Sequence, residues 1–208
     1  LLRSFMLQII FISFLFWGSD FGDVTLAANQ VLLQFLSLPA HALDGFAFAA
    51  EALVGQAFGA RSVVRLRRGA LLTSIWGVVV CVALAIAFAS FGGVLIDLMA
   101  KAPEVQIEAR NYLIYMTLAP ILGLAAYMLD GVFIGATRTR DMRNMMALSL
   151  LVYVVAALLL APSMGNHGLW LALLISFVAR GVTLGLRYPA LERAATNLTD
   201  LTKSPSIL

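Results

Sequence analysis

The pattern of apolar and polar positions divides the chain into long hydrophobic runs separated by short polar loops. The most informative run is Leu26 to Arg61, reading LAANQVLLQFLSLPAHALDGFAFAAEALVGQAFGAR. Its polar side chains Gln30, Gln34, Ser37, His41, Asp44 and Glu51 follow one another at steps of four, three, four, three and seven. At about 100° per residue on a helix, all of them fall within an arc of roughly 100°. The opposite face is Val, Leu, Phe and Ala. The spacing therefore predicts one helix with an apolar side and a polar, ionisable stripe.

Together with this run, the remaining ones predict six helical spans at about residues 5–21, 24–60, 69–91, 104–136, 144–161 and 167–187. Several approach the length of about 20 residues that crosses a bilayer core. The second and fourth exceed it and carry Pro39 and Pro120, each a cause for a bend. Gly92-Gly93 is expected to open a loop, and residues 162–166 to form a turn after the fifth span. Residues 188–208 read as a polar, poorly ordered tail.

Composition agrees with this reading. Hydrophobic residues make up 62% of the chain, charged residues 12%, and the mean hydropathy is +0.95. These values exclude the soluble globular class and indicate an all-α polytopic membrane protein. A transmembrane barrel would need short alternating segments, which are absent. The pI of 9.4 does not point to nucleic acid, because the arginines sit in short loops between apolar runs. Arg3, the Arg61–Arg68 loop, the Arg138–Arg143 loop and Arg187/Arg193 share one side. The positive-inside rule makes that side cytoplasmic, with both ends of the chain there. The expected location is the inner (plasma) membrane, with lipid as a partner. The chain starts with leucine and no leader-like region, so a longer parent protein is expected.

Chemistry concentrates on a few intramembrane side chains. An ionised carboxylate at mid-bilayer costs about 2.5–3.5 kcal/mol on insertion scales, so it marks a functional position. Asp44 lies 17 residues before Arg61, near the middle of its span, and Glu51 is two turns nearer the basic side. Asp130 has a depth similar to that of Glu51, and so does Arg180, for which Asp130 and Glu51 are alternative partners. Asp44 has no arginine or lysine at equal depth and is the leading candidate for function. A carboxylate that gains and loses charge with the side it faces is what ion-coupled transport requires. The structural alternatives are helix packing for His41 and interhelical hydrogen bonding for Gln30, Gln34 and Ser37. Leu43-Asp44-Gly45-Phe46 is echoed by Leu129-Asp130-Gly131-Val132. Cys81 is alone in an apolar run, and the chain carries no P-loop, HExxH, GxSxG or CxxC pattern, so neither an enzyme nor a cofactor is expected.

The blocks LAANQVLL, LDGFAFAAEALVGQAFGAR, LDGVFIGATRTRDMRNMM and GNHGLWLALLISFVARG resemble the multidrug and toxic compound extrusion (MATE) family, in its DinF-type branch. The similarity runs from Leu1 to about Arg187. It implies that the six spans are one lobe, the C-terminal half, of a two-lobe, twelve-helix exporter working by alternating access. The partner would be the N-terminal six-helix lobe of the same protein. The activity implied is exchange of protons or sodium ions for drugs or other amphipathic, often cationic, small molecules, with an ion gradient in place of a cofactor. Other branches place an acid on the helix matching residues 5–21, paired with an aspartate further on. Here that span has Gln8 and Ser13 but no acid before Asp20, so proton coupling is expected over sodium. In DinF-type relatives the key protonated aspartate belongs to the N-terminal lobe. Within this chain the pathway candidates are then Asp44, Glu51, His41, Gln34, Gln30 and Asp130. Arg180 with Asp130 is the candidate structural ion pair. Two further readings stand beside this one: a lipid-linked precursor flippase of related two-lobe fold, and a non-transporting structural subunit.

Overall fold

In the computed structural model, residues 1–200 are described, with side chains described as far as Thr196. Among the described residues seven helices follow one another: α1 (Leu2–Gly18), α2 (Asp23–Gly59), α3 (Val63–Met99), α4 (Pro103–Asn111), α5 (Leu113–Gly135), α6 (Thr139–Met164) and α7 (Asn166–Asp200). A single 3₁₀ turn, Ser19–Phe21, links the first two. All but α4 are long and apolar enough to cross a membrane. The protein is an all-α polytopic membrane protein.

Helix α5 sits at the centre, packed on α2, α3 and α7, while α6 pairs with α7 and with α1 at the edge. Small residues make this possible. A Cβ at Gly131 or Gly135 would overlap the carbonyl oxygens of Ala47 and Glu51 on α2. This Gly131-x-x-x-Gly135 face brings two backbones together, as small-residue faces do in membranes. It also sets the distance between the acidic positions of α2 and Asp130. Gly45, the glycine of the echoing motif, meets nothing within 4 Å. The two Leu-Asp-Gly copies therefore have different jobs.

Helices α2 and α5 end in the same way. Arg61 (φ 55°) and Thr137 (φ 59°) take left-handed conformations. Ser62 N–H then donates to Ala57 C=O, and Arg138 N–H to Phe133 C=O, the closure that satisfies late carbonyls of a helix.

Several boundaries differ from the expectation for physical reasons. Helix α3 takes in residues 63–68 because Ser62 caps it, accepting from Arg65 N–H. Gly92-Gly93 does not open a loop. Gly92 is buried inside α3, where a Cβ would lie 2.7 Å from Leu113 Cδ1, so it serves close packing. The fourth span divides at Tyr112 (φ −107°, ψ 4°), where the polar α4 gives way to the apolar α5. Helix α6 continues through Pro162 to Met164 and stops at Gly165 (φ 64°). Helix α2 passes through Pro39 as one helix.

The largest correction concerns residues 188–200, expected as tail and found to continue α7. Leu191 and Ala195 are fully buried with Leu66, Val54 and Leu184, and Arg67 donates to both carboxylate oxygens of Glu192 at 2.8 and 2.7 Å. Tyr188, Leu191, Glu192 and Ala195 recur at helical spacing, which gives this segment a packed face despite its polarity. Residues 201–208 of the expected tail lie outside the described residues.

Candidate functional site

A cavity of about 650 Å³ opens between α1, α2 and α5. Helix α2 contributes Ser37, His41, Asp44 and Glu51, α5 contributes Tyr127, Asp130 and Gly131, and α1 contributes Arg3, Gln8 and Phe11. The stripe predicted on α2 is thus split by position. His41, Asp44 and Glu51 line the cavity together with Asp130. Gln30 and Gln34 are exposed on the same helix but lie outside its lining. His41 is exposed, and its Nδ1 is 2.6 Å from Ser37 C=O one turn earlier. Asp44 and Glu51 are partly exposed and have no ion-pair partner among the described residues.

Asp130 is in a different environment, with its side chain only 4% exposed. Arg3 Nη2 donates to its Oδ2 at 2.8 Å, and Arg180 Nη2 approaches the same oxygen at 3.8 Å. The pairing of Arg180 with Asp130 is therefore the longer of two contacts, and the alternative pairing with Glu51 does not form. Arg180 is 2% exposed. Its guanidinium carbon stands 5.5 Å from the Tyr127 ring centre and 6.0 Å from that of Phe177, while its Nη1 lies 3.6 Å from Met146 sulfur. Phe177 and Met146 belong to the apolar cluster of Tyr153 and Trp170, whereas Tyr127 packs on the cluster of Leu43, Cys81 and Met128. Two guanidiniums thus meet one carboxylate where two apolar regions join.

Arg3 is the functional-site residue that sequence reasoning missed. It reads there as a marker of membrane orientation, yet it lines the cavity and holds Asp130. Arg3 shares the cavity with Asp44 but pairs with Asp130. A long side chain carries charge well beyond the depth of its Cα. The usable signal was Arg3, Leu7, Gln8 and Phe11 at helical spacing on one face of α1.

At the end of the bundle away from the basic loops, a second polar group ties helices together. Asn29 and Asn166 exchange two side-chain hydrogen bonds of 2.8 Å, and Trp170 Nε1–H donates to Asn29 Oδ1 at 3.0 Å. Beside them Glu108 accepts from Thr25 and Tyr112 hydroxyls, and Tyr115 Oη lies 2.9 Å from His167 Nδ1. Burial pushes the Tyr112 hydroxyl above its ordinary range, and it donates to Glu108. These groups lock α2, α4, α5 and α7 and do not border the cavity. Among the described residues, no group of three or more His, Cys, Asp or Glu side chains could hold a metal ion.

Comparison with known proteins gives two findings. The MatE family profile matches residues 1–159. The chain is also similar to DNA damage-inducible protein F of Escherichia coli (strain K12), 38% identical over 190 residues that cover 88% of this chain and 40% of that protein. The chain therefore spans well under half the length of the curated relative it matches. With three quarters of its residues inside the family profile, this chain belongs to the MATE family of membrane transporters.

Proposed function

We propose that the chain forms the C-terminal six-helix lobe of a two-lobe, twelve-helix antiporter that exports amphipathic, often cationic, small molecules by alternating access. The driving ion in this reading is the proton rather than sodium. The observation that carries it is a cavity bordered by two unpaired carboxylates, Asp44 and Glu51, beside a third that is already neutralised. A match of 40% of the relative's length supports a missing second lobe. The exposed face of α2, with Gln30, Gln34 and His41, is the surface that this lobe would cover.

The roles divide by environment. Asp130 is tied to Arg3 and Arg180 and serves as a structural anchor of the cavity wall. Asp44 and Glu51 are free to take either a proton or a cationic substrate. Protonation removes the charge that retains a cation, so the two ligands compete for one pair of groups. The basic end, with Arg61, Arg65, Arg67, Arg68, Arg138, Arg140 and Arg143, is assigned to the cytoplasm of the inner (plasma) membrane.

The test is drug accumulation in cells expressing the full-length parent. Asp44→Asn is expected to abolish extrusion and Glu51→Gln to weaken it. Unchanged extrusion in Asp44→Asn removes that residue from the mechanism. A flippase for lipid-linked phosphates ranks second, because the cavity lining holds one arginine, Arg3, already paired with Asp130, beside two further carboxylates. Transport of such a precursor in reconstituted vesicles, without drug efflux, would reverse the order.

A further inference from the structure

A second hollow, about 710 Å³, lies between α3, α5 and α7. It is distinct from the carboxylate cavity. On α5 the cavity takes Tyr127, Asp130, Gly131 and Ile134, whereas the hollow takes Ile121, Leu124, Ala125, Met128, Leu129 and Val132. At about 100° per residue these two sets point roughly 140° apart around the helix. The hollow therefore opens on the side of the lobe away from the cavity, where a membrane protein meets lipid.

Its walls are apolar along most of their length, and small residues (Ala125 on α5, Gly185 on α7, Ser74 on α3) give it width. One end is different. There Arg67, Tyr188 and Glu192 border it, at the end of the bundle that carries the basic loops. Glu192 grips Arg67 through Nε and Nη2, which fixes the guanidinium plane and leaves Nη1 outside that pair of bonds. The Arg67 side chain is still 66% exposed. Arg67 and Glu192 cancel within the mouth, while Arg65 and Arg68, in the same turns of α3 but outside the lining, make the surface around it net positive.

We propose that this hollow is a binding site for one phospholipid with an anionic headgroup, taken from the leaflet at the basic end. An acyl chain lies along Ala125, Met128 and Gly185, and the phosphate meets Arg67. Charge complementarity commits the site to a lipid of this kind. A neutral chain would fill the apolar length and leave the free edge of Arg67 and its basic surroundings unused, and a free phosphate would leave the apolar length empty. Arg67 is suited to the task because a guanidinium held by one carboxylate presents a planar, oriented donor edge to a phosphate.

The experiment uses the full-length parent in mild detergent with equal amounts of dioleoyl phosphatidylglycerol and dioleoyl phosphatidylethanolamine. Native mass spectrometry then counts the lipid retained. The expected preference for phosphatidylglycerol is about fivefold, the factor for one basic residue acting on an anionic headgroup. Arg67→Gln is expected to bring the ratio to about one. Glu192→Gln breaks the same ion pair but keeps the cation, so it retains the preference. Ala125→Leu fills the hollow and is expected to remove the tightly held lipid of either kind. Equal retention of both lipids by the unmodified protein overturns the proposal. So does loss of the preference in Glu192→Gln as well as Arg67→Gln, which would assign Arg67 a packing role only. Unchanged retention in Ala125→Leu overturns the location.

Discussion

Replacing Asp130 by asparagine keeps the side-chain shape and removes the one negative charge between Arg3 and Arg180. Arg3 is 24% exposed and can turn toward the cavity, but Arg180 is 2% exposed and has nowhere to go. What remains around Arg180 is a sulfur and two ring faces, at 3.6, 5.5 and 6.0 Å. Breaking a buried ion pair from one side costs about 3–5 kcal/mol, because a charge is left without compensation. For a body of this size that corresponds to a fall of about 10 °C in the unfolding midpoint. The assay is thermal unfolding of the full-length parent in detergent. Arg3→Gln should cost clearly less, on the order of 1 kcal/mol, since Asp130 keeps Arg180 and the lost partner was partly solvated. The double change Asp130→Asn with Arg180→Gln should recover most of the loss, because no buried charge is then unpaired. Purely additive costs in that double-mutant cycle, or an unchanged midpoint in Asp130→Asn, would refute the reasoning.

Other changes probe the packing around the site. Gly131→Ala places a Cβ into the Ala47 carbonyl and should destabilise the protein by about 1–3 kcal/mol; Gly45→Ala, made in open space on the echoing motif, should be nearly neutral in the same thermal assay. Asn29→Leu leaves the Asn166 amide and the Trp170 N–H without their acceptor, a cost of about 1–3 kcal/mol per buried group left unsatisfied. Tryptophan emission during unfolding reads that loss directly. Leu191→Ala should cost about 2–5 kcal/mol if α7 packs beyond residue 187 as observed, and almost nothing if that segment were tail; the same midpoint measurement decides.

Much of the fold was legible because membrane helices are written in long apolar runs, and six of them stand out without knowledge of any contact. Ends were less legible. Gly92-Gly93 and Pro162 carry the residue types that usually break helices, yet in α3 and α6 the neighbouring helices decide otherwise. The segment after Arg187 was misjudged because polarity outweighed its helical spacing. At the site, the α2 stripe placed His41, Asp44 and Glu51 on one face from periodicity alone. The same periodicity could not say that Gln30 and Gln34 fall outside the cavity, which depends on where α1 and α5 cross α2.

Local rules of spacing and solvation therefore determined the class of protein, the number of crossings, and the face on which the carboxylates stand. Those properties depend on one helix and its surroundings at a time. Which carboxylate is neutralised was decided only in three dimensions. Asp44 and Asp130 sit in near-identical Leu-Asp-Gly motifs, but Gly131 draws α5 onto the backbone of α2, and Arg3 and Arg180 arrive from helices 127 and 50 residues away. Coulomb attraction in a low-dielectric interior acts between whatever side chains packing brings within a few ångströms. No periodicity along the chain carries that information.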